Sequence, residues 1–196
     1  MQNYESDEAL NKRHELLMCL QECWYAAFQS KRFLNAFEAL YSGFENTTHD
    51  IAYDVKNNIL RLDAFYAISS LSMTGKYLNI NRRSFPALDG IIDELNQNEN
   101  WKRIKDARDI LTHKDEYAAG GGRHREKYFQ SANGIGATMD SVIVLIDQRQ
   151  YLIGATLDLV NACEHYLAVY SRIYDLISAQ IGYRDMRYDF SILTFH

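Results

Sequence analysis

The sequence predicts an all-α protein, a bundle of about five helices with one β-hairpin excursion before the last helix. Three observations predict it. A single proline, Pro86, and few glycines before residue 118 favour long uninterrupted helices over a multi-stranded fold. Apolar residues recur at three- and four-residue steps along most of the chain. From Met139 to Ile146 the pattern becomes β-branched and apolar, turns at Asp147-Gln148-Arg149, and resumes at Gln150 to Ile153, which reads as a hairpin. One domain, 1–196, can bury a sizeable core at this length, with 118–153 as a loop and hairpin insertion.

Each element has its own signals. Ser6 or Asp7 caps a first helix whose acidic first turn suits the helix dipole. Its apolar positions run from Leu10 through Leu17, Leu20, Trp24, Ala27, Phe28, Leu34 and Phe37, as one helix to Phe44 or two joined near Ser30-Lys31. Thr47 or Thr48 caps a second helix to about Tyr77. Ile51, Val55, Ile59, Leu62, Phe65, Tyr66, Ser69 and Met73 lie along one side of it, and its Ser-Ser and Thr-Gly pairs would let a neighbour approach closely. After a loop at 79–83, Ser84 caps a short third helix with Pro86 in its first turn and Leu88, Ile91, Ile92 and Leu95 on one face. The fourth helix starts near Trp101 and ends abruptly at His113. A last helix, Ala155 to about Ile181, is apolar over a wide arc and reads as central.

Composition narrows the function classes. No apolar run reaches the roughly 18 residues that span a bilayer, and the acidic N-terminus lacks a signal peptide's order, so a cytoplasmic protein without a membrane partner is expected. Cys19, Cys23 and Cys163 are odd in number and sit within helical patterns, which fits a reducing compartment. The net charge is −5, yet residues 102–127 hold eight Lys/Arg against five Asp/Glu, a net of +3. A basic island in an acidic chain marks either an anionic partner or a solvated face.

That island contains the one stretch with a hint of chemistry. At 100° per residue, Trp101, Ile104, Ala107, Arg108 and Leu111 share an arc, so Arg108 sits on the inward stripe and needs an anionic or carbonyl partner. Asp109 and His113 lie one turn apart on another face, within reach of each other.

The segment Arg108-Asp109-Ile110-Leu111-Thr112-His113 resembles the signature of the HEPN superfamily of helical domains, in which an arginine, often followed by a polar residue, precedes a histidine by four to six residues. The resemblance implies a metal-independent endoribonuclease with no cofactor, a toxin or defence component, that works as a homodimer. Arg108, Asp109 and His113 would then be catalytic. Histidine would take the 2′-hydroxyl proton, having a pKa near working pH. Arginine would stabilise the charge on the pentavalent phosphorus, and Asp109 would orient one of the two. Lys102, Lys105, Lys114, Arg123, Arg125 and Lys127 are the expected RNA contacts.

Other readings stand beside this one. Arg108 could be a core arginine paired with an acid from another helix, with Asp109 and His113 a helix-end pair. The chain would then be a non-catalytic binding or scaffolding protein that meets a protein partner through 118–153. Cys19, Cys23, Cys163 and His165 would make a zinc site if two helices brought them together, although small buried cysteines are far commoner. Glu45, His49 and Asp50 offer divalent-ion ligands with no second cluster in support. Tyr117, Tyr128 and Phe129 could stack on bases or simply anchor a loop.

Overall fold

The computed structural model describes residues 6–43, 51–122, 125–132 and 134–182, with the backbone alone at 41–43, 51–56, 125, 135 and 146. It is mostly helical, but it is not all-α. Among the described residues are six α-helices and five short strands in two antiparallel sheets, where the sequence suggested one hairpin.

Helix α1 (Asp7–Gly43) is a single helix through Ser30-Lys31, and α2 (Ile51–Asn81) continues one turn beyond the expected end. The two run antiparallel and are pinned at two points. Thr74 Oγ1 donates to the Glu22 carbonyl at 2.9 Å, and Arg32 pairs with Asp63 at 2.6 Å. Ser84 falls outside the next helix. Pro86–Leu88 forms a 3-10 turn without a side-chain cap, and α3 (Asp89–Gln97) follows directly. Asn98 then caps α4 (Glu99–Thr112), its side chain accepting from the Trp101 N–H at 3.0 Å.

The described residues of 118–153 hold more regular structure than a loop with one hairpin. A five-residue helix α5 (Lys114–Ala118) leads into β1 (Phe129–Ala132) and β2 (Ile135–Thr138), a hairpin with Phe129 opposite Thr138. The second sheet orders β3 (Val142–Leu145), β4 (Gln150–Ile153) and β5 (Leu157–Asp158). Residues 155–158 therefore serve the sheet, and α6 (Leu159–Ile181) starts later than Ala155. Asp158 caps it, accepting from Val160 N at 3.1 Å and Asn161 N at 3.4 Å, and Gly182 closes it in the left-handed conformation.

The core lies where α1, α2 and α6 meet. Cys19, Cys23, Ala26, Phe33 and Phe37 of α1 pack with Leu60, Ala64, Ala67, Ile68 and Leu71 of α2 and with Cys163, Tyr166, Ile173 and Ile177 of α6. The Tyr166 hydroxyl satisfies itself on the Cys23 carbonyl at 2.7 Å. The second sheet closes one end: Tyr151 of β4 meets Phe33 edge-on at 5.1 Å, and Arg149 bridges Glu38 of α1 and Glu164 of α6.

One apolar series of the sequence faces the other way. Ile59, Leu62, Phe65 and Tyr66 of α2 remain 50, 52, 38 and 45% exposed. The buried side of α2 is the opposite one, where Ala64 and Ala67 let α1 come close. Both faces carry helical periodicity, so the pattern alone does not choose between them.

Candidate functional site

An open groove of about 1090 Å³ lies between α2 and α4. The two helices meet at Gly75, where only a small side chain has room. A β-carbon there would stand 3.4 Å from Trp101 Cζ2, and the Trp101 ring is itself stacked on Tyr166 at 5.7 Å. Leu71, Met73, Ile80 and Ile104 supply apolar lining.

Five cations line the groove: Lys76 of α2, Arg83 just beyond it, and Lys102, Lys105 and Arg108 of α4. Lys102 is held by Glu99 at 2.6 Å. Lys76, Arg83, Lys105 and Arg108 make no ion pair among the described residues. The groove's two carboxylates are both engaged. Asp106 accepts from Lys127 Nζ at 2.7 Å, a bond that raises the lysine pKa. Asp109 Oδ2 accepts from the Tyr117 hydroxyl at 2.9 Å. With its acids occupied from one side and most of its cations uncommitted, the groove presents a net positive field to solvent.

Arg108 is half-buried at the edge of the α4 stripe formed by Trp101, Ile104, Ala107 and Ile110, not at its centre. Its side chain pairs with no acid among the described residues, where the sequence allowed a core ion pair with an acid from another helix. Among the described residues, Arg32 does pair with a buried acid: Asp63 is only 4% exposed, and burial raises its carboxyl pKa against the opposing pull of the guanidinium.

Helix α4 ends at Thr112, whose Oγ1 returns to the Arg108 carbonyl at 2.7 Å, a bond that competes with regular helix. His113 stands in the break before α5. Its N–H reaches the Asp109 carbonyl at 3.1 Å while its own carbonyl accepts from Glu116 and Tyr117. The His113 ring is exposed, lies 3.2 Å from Glu116 Oε1 through Nδ1, and does not line the groove. The groove thus brings Arg108 and Asp109 together and leaves His113 out. The expected Asp109–His113 pair does not form, because Tyr117 and Glu116 take the two partners.

The remaining expected contacts divide. Lys102 and Lys105 line the groove, Lys114 is exposed at the start of α5, and Lys127 is tied to Asp106. Arg123 and the Arg125 side chain lie outside the described residues. Lys76 and Arg83 are additions that the island at 102–127 could not reveal, since they come from α2 and the turn that follows it. Their local signal was the Gly75-Lys76 step and the Arg82-Arg83 pair. Tyr117 and Tyr128 stack on each other at 5.9 Å and bind Asp109 and Asp140, so both hydroxyls and one face of each ring are engaged within the protein.

The metal alternatives gain no geometry. Cys19, Cys23 and Cys163 are free and buried, and burial raises the Cys163 thiol to about 12. No group of three or more His, Cys, Asp or Glu is arranged for a metal ion among the described residues, and Glu45, His49 and Asp50 lie outside them. No helix among the described residues is long and apolar enough to cross a membrane. Comparison with known proteins finds no matching family model, curated protein or solved structure.

Proposed function

We propose that the α2–α4 groove binds the phosphodiester backbone of single-stranded RNA, with Arg108 as its central phosphate contact. The observation that carries this is the half-buried Arg108, which faces the groove without an acid partner among the described residues, beside Lys76, Arg83 and Lys105. A guanidinium held in this way is ready for a bidentate anion. Cleavage as well as binding is what the HEPN resemblance adds. It would use Arg108 for transition-state charge and His113 as base, so it requires the α4–α5 break to bring His113 to the groove, or a second chain to supply it. The position of His113 outside the groove favours binding as the activity of one chain.

The test is fluorescence anisotropy with a labelled single-stranded RNA, run beside a cleavage assay in EDTA. Four uncommitted cations predict a log Kd–log salt slope near 3 in magnitude, at about 0.7 per phosphate contact for single strands. Arg108→Ala should weaken binding and lower that slope by roughly 0.7. Equal affinity for wild type and variant would end the RNA reading of the groove. Cleavage that survives EDTA and is lost in both Arg108→Ala and His113→Ala would establish the nuclease. Binding without cleavage would leave an RNA-binding protein.

A further inference from the structure

We infer that the single-stranded RNA proposed for the α2–α4 groove continues along α2 toward its N-terminal half, where Phe65 and Tyr66 stack on its bases and Arg61 meets a further phosphate. The inference rests on the RNA reading of the groove and adds a second subsite, one that requires unpaired bases. It starts from the line of side chains on one flank of α2. Ser72, Lys76 and Asn79 line the groove, and Arg83 follows just past the helix end. Toward the N-terminus, three- and four-residue steps carry that flank on through Ser69 to Phe65 and Arg61. On a straight helix Arg61 and Lys76 stand about 22 Å apart along the axis, room for several nucleotides.

The chemistry along this line suits a strand with a charged backbone and flat bases. Phe65 and Tyr66 are 38 and 45% exposed, and their rings meet edge to face with centroids 6.0 Å apart at 65°. The contact fixes both rings while much of their surface stays in water, which limits the entropy lost on stacking. Arg61, one turn before Phe65, is exposed and pairs with no acid among the described residues. Ser69 and Ser72 are short and half-buried, so the surface dips between the aromatic pair and Lys76 and leaves the path open.

Helix α2 also carries little to repel a phosphate there. Between residues 57 and 81 its single acid is Asp63, which is 4% exposed and bound to Arg32. In a chain of net charge −5, an exposed helix surface of aromatics and cations without a carboxylate is complementary to an anion that also offers apolar faces. Unpaired RNA offers both, whereas a duplex keeps its base faces inside the stack.

The test is fluorescence anisotropy of the full chain with labelled oligouridylates of increasing length, from a dinucleotide upward, at several salt concentrations. Wild-type affinity should keep rising past the length that fills the groove, and the salt slope should gain about 0.7 once Arg61 is reached. Phe65→Ala should stop that rise and raise the Kd of the longer oligomers at least roughly 5-fold, the low end for a lost stacking ring. Its affinity for the shortest oligomers should match wild type. Phe65→Trp should bind as wild type does, and Phe65→Leu, apolar but without a π face, should not. Arg61→Ala should lower the slope by about 0.7 for the longer oligomers alone. Both positions are exposed, so the variants should keep the wild-type melting temperature. Binding that is lost in Arg108→Ala yet equal in Phe65→Ala at every length would keep the groove and overturn this inference. Full affinity in Phe65→Leu would overturn it too, as would a duplex with oligoadenylate that binds as tightly as the single strand. RNA that binds at no length would remove both readings.

Discussion

Gly75 packs against the indole of Trp101, leaving 3.4 Å between Trp101 Cζ2 and the place where a β-carbon would stand. That separation is ordinary contact, so one methyl fits and a larger side chain does not. Gly75→Ala should keep or raise the melting temperature, since glycine in a helix interior costs about 0.5–1 kcal/mol relative to alanine. Gly75→Leu should cost roughly 1–3 kcal/mol by forcing α2 and α4 apart. Thermal denaturation of both variants checks this; the reverse order would mean that the helices do not meet at this point.

Arg32 and Arg108 should behave oppositely when truncated. Arg32→Ala strands the buried carboxylate of Asp63 and should destabilise by roughly 2–3 kcal/mol. Arg108→Ala removes no ion pair with a described residue and should change stability by no more than about 0.5 kcal/mol. Urea midpoints give the comparison. A large loss for Arg108→Ala would show it to be structural and undercut its role in the groove.

Lys127 holds Asp106 and so sets the charge of the groove wall. Lys127→Met should free that carboxylate and weaken RNA binding several-fold. Stability should fall by less than about 1 kcal/mol, because the bond is only partly buried and solvent screens it. Asp106→Asn in the same background should restore the affinity. No change in anisotropy for Lys127→Met would mean that the RNA does not pass this wall.

Alkaline pH should unfold the protein partly through its thiols. Burial raises Cys163 from its usual 9.0 to about 12, so the folded state keeps a proton that the unfolded state releases. The unfolded chain then binds fewer protons above pH 9, and stability falls as pH rises. This contribution is fully present below about pH 9 and is lost between there and about 12. Cys163→Ala should flatten the upper limb of a stability–pH curve, and native thiols should resist labelling until the chain unfolds. An upper limb as steep in the variant as in wild type would assign the loss to other groups, such as Tyr151 and Tyr166, which burial also raises.

Periodicity and caps made the long helices legible, because their buried positions repeat at helical spacing whatever they pack against. Where two faces of α2 carried that spacing, the choice fell to Ala64, Ala67 and Gly75, whose value lies in the closeness of α1 and α4 and is invisible without them. The hairpin of β1 and β2 had one plain signal, Asn133-Gly134, the dipeptide favoured in tight hairpins, flanked by strands too short and too poor in β-branched residues to stand out. Strand β5 exists only through its pairing with β4, so Leu157-Asp158 read locally as the start of a helix. At the candidate site the sequence singled out Arg108 and Asp109, which share the groove. It could not show that Tyr117 and Glu116 would claim Asp109 and His113.

The joint between Tyr151 and α1 also bears on how the chain is made. Phe33 and Phe37 find their aromatic partner more than a hundred residues downstream, and Cys23 receives the Tyr166 hydroxyl from further still. As the polypeptide leaves the ribosome, α1 and α2 can form their hairpin early, but one apolar side of α1 stays wet until β4 and α6 emerge. For a largely helical protein that is a long wait. It predicts slow final closure for a helical chain, and an intermediate with α1 and α2 paired that is prone to aggregate through the uncovered aromatics.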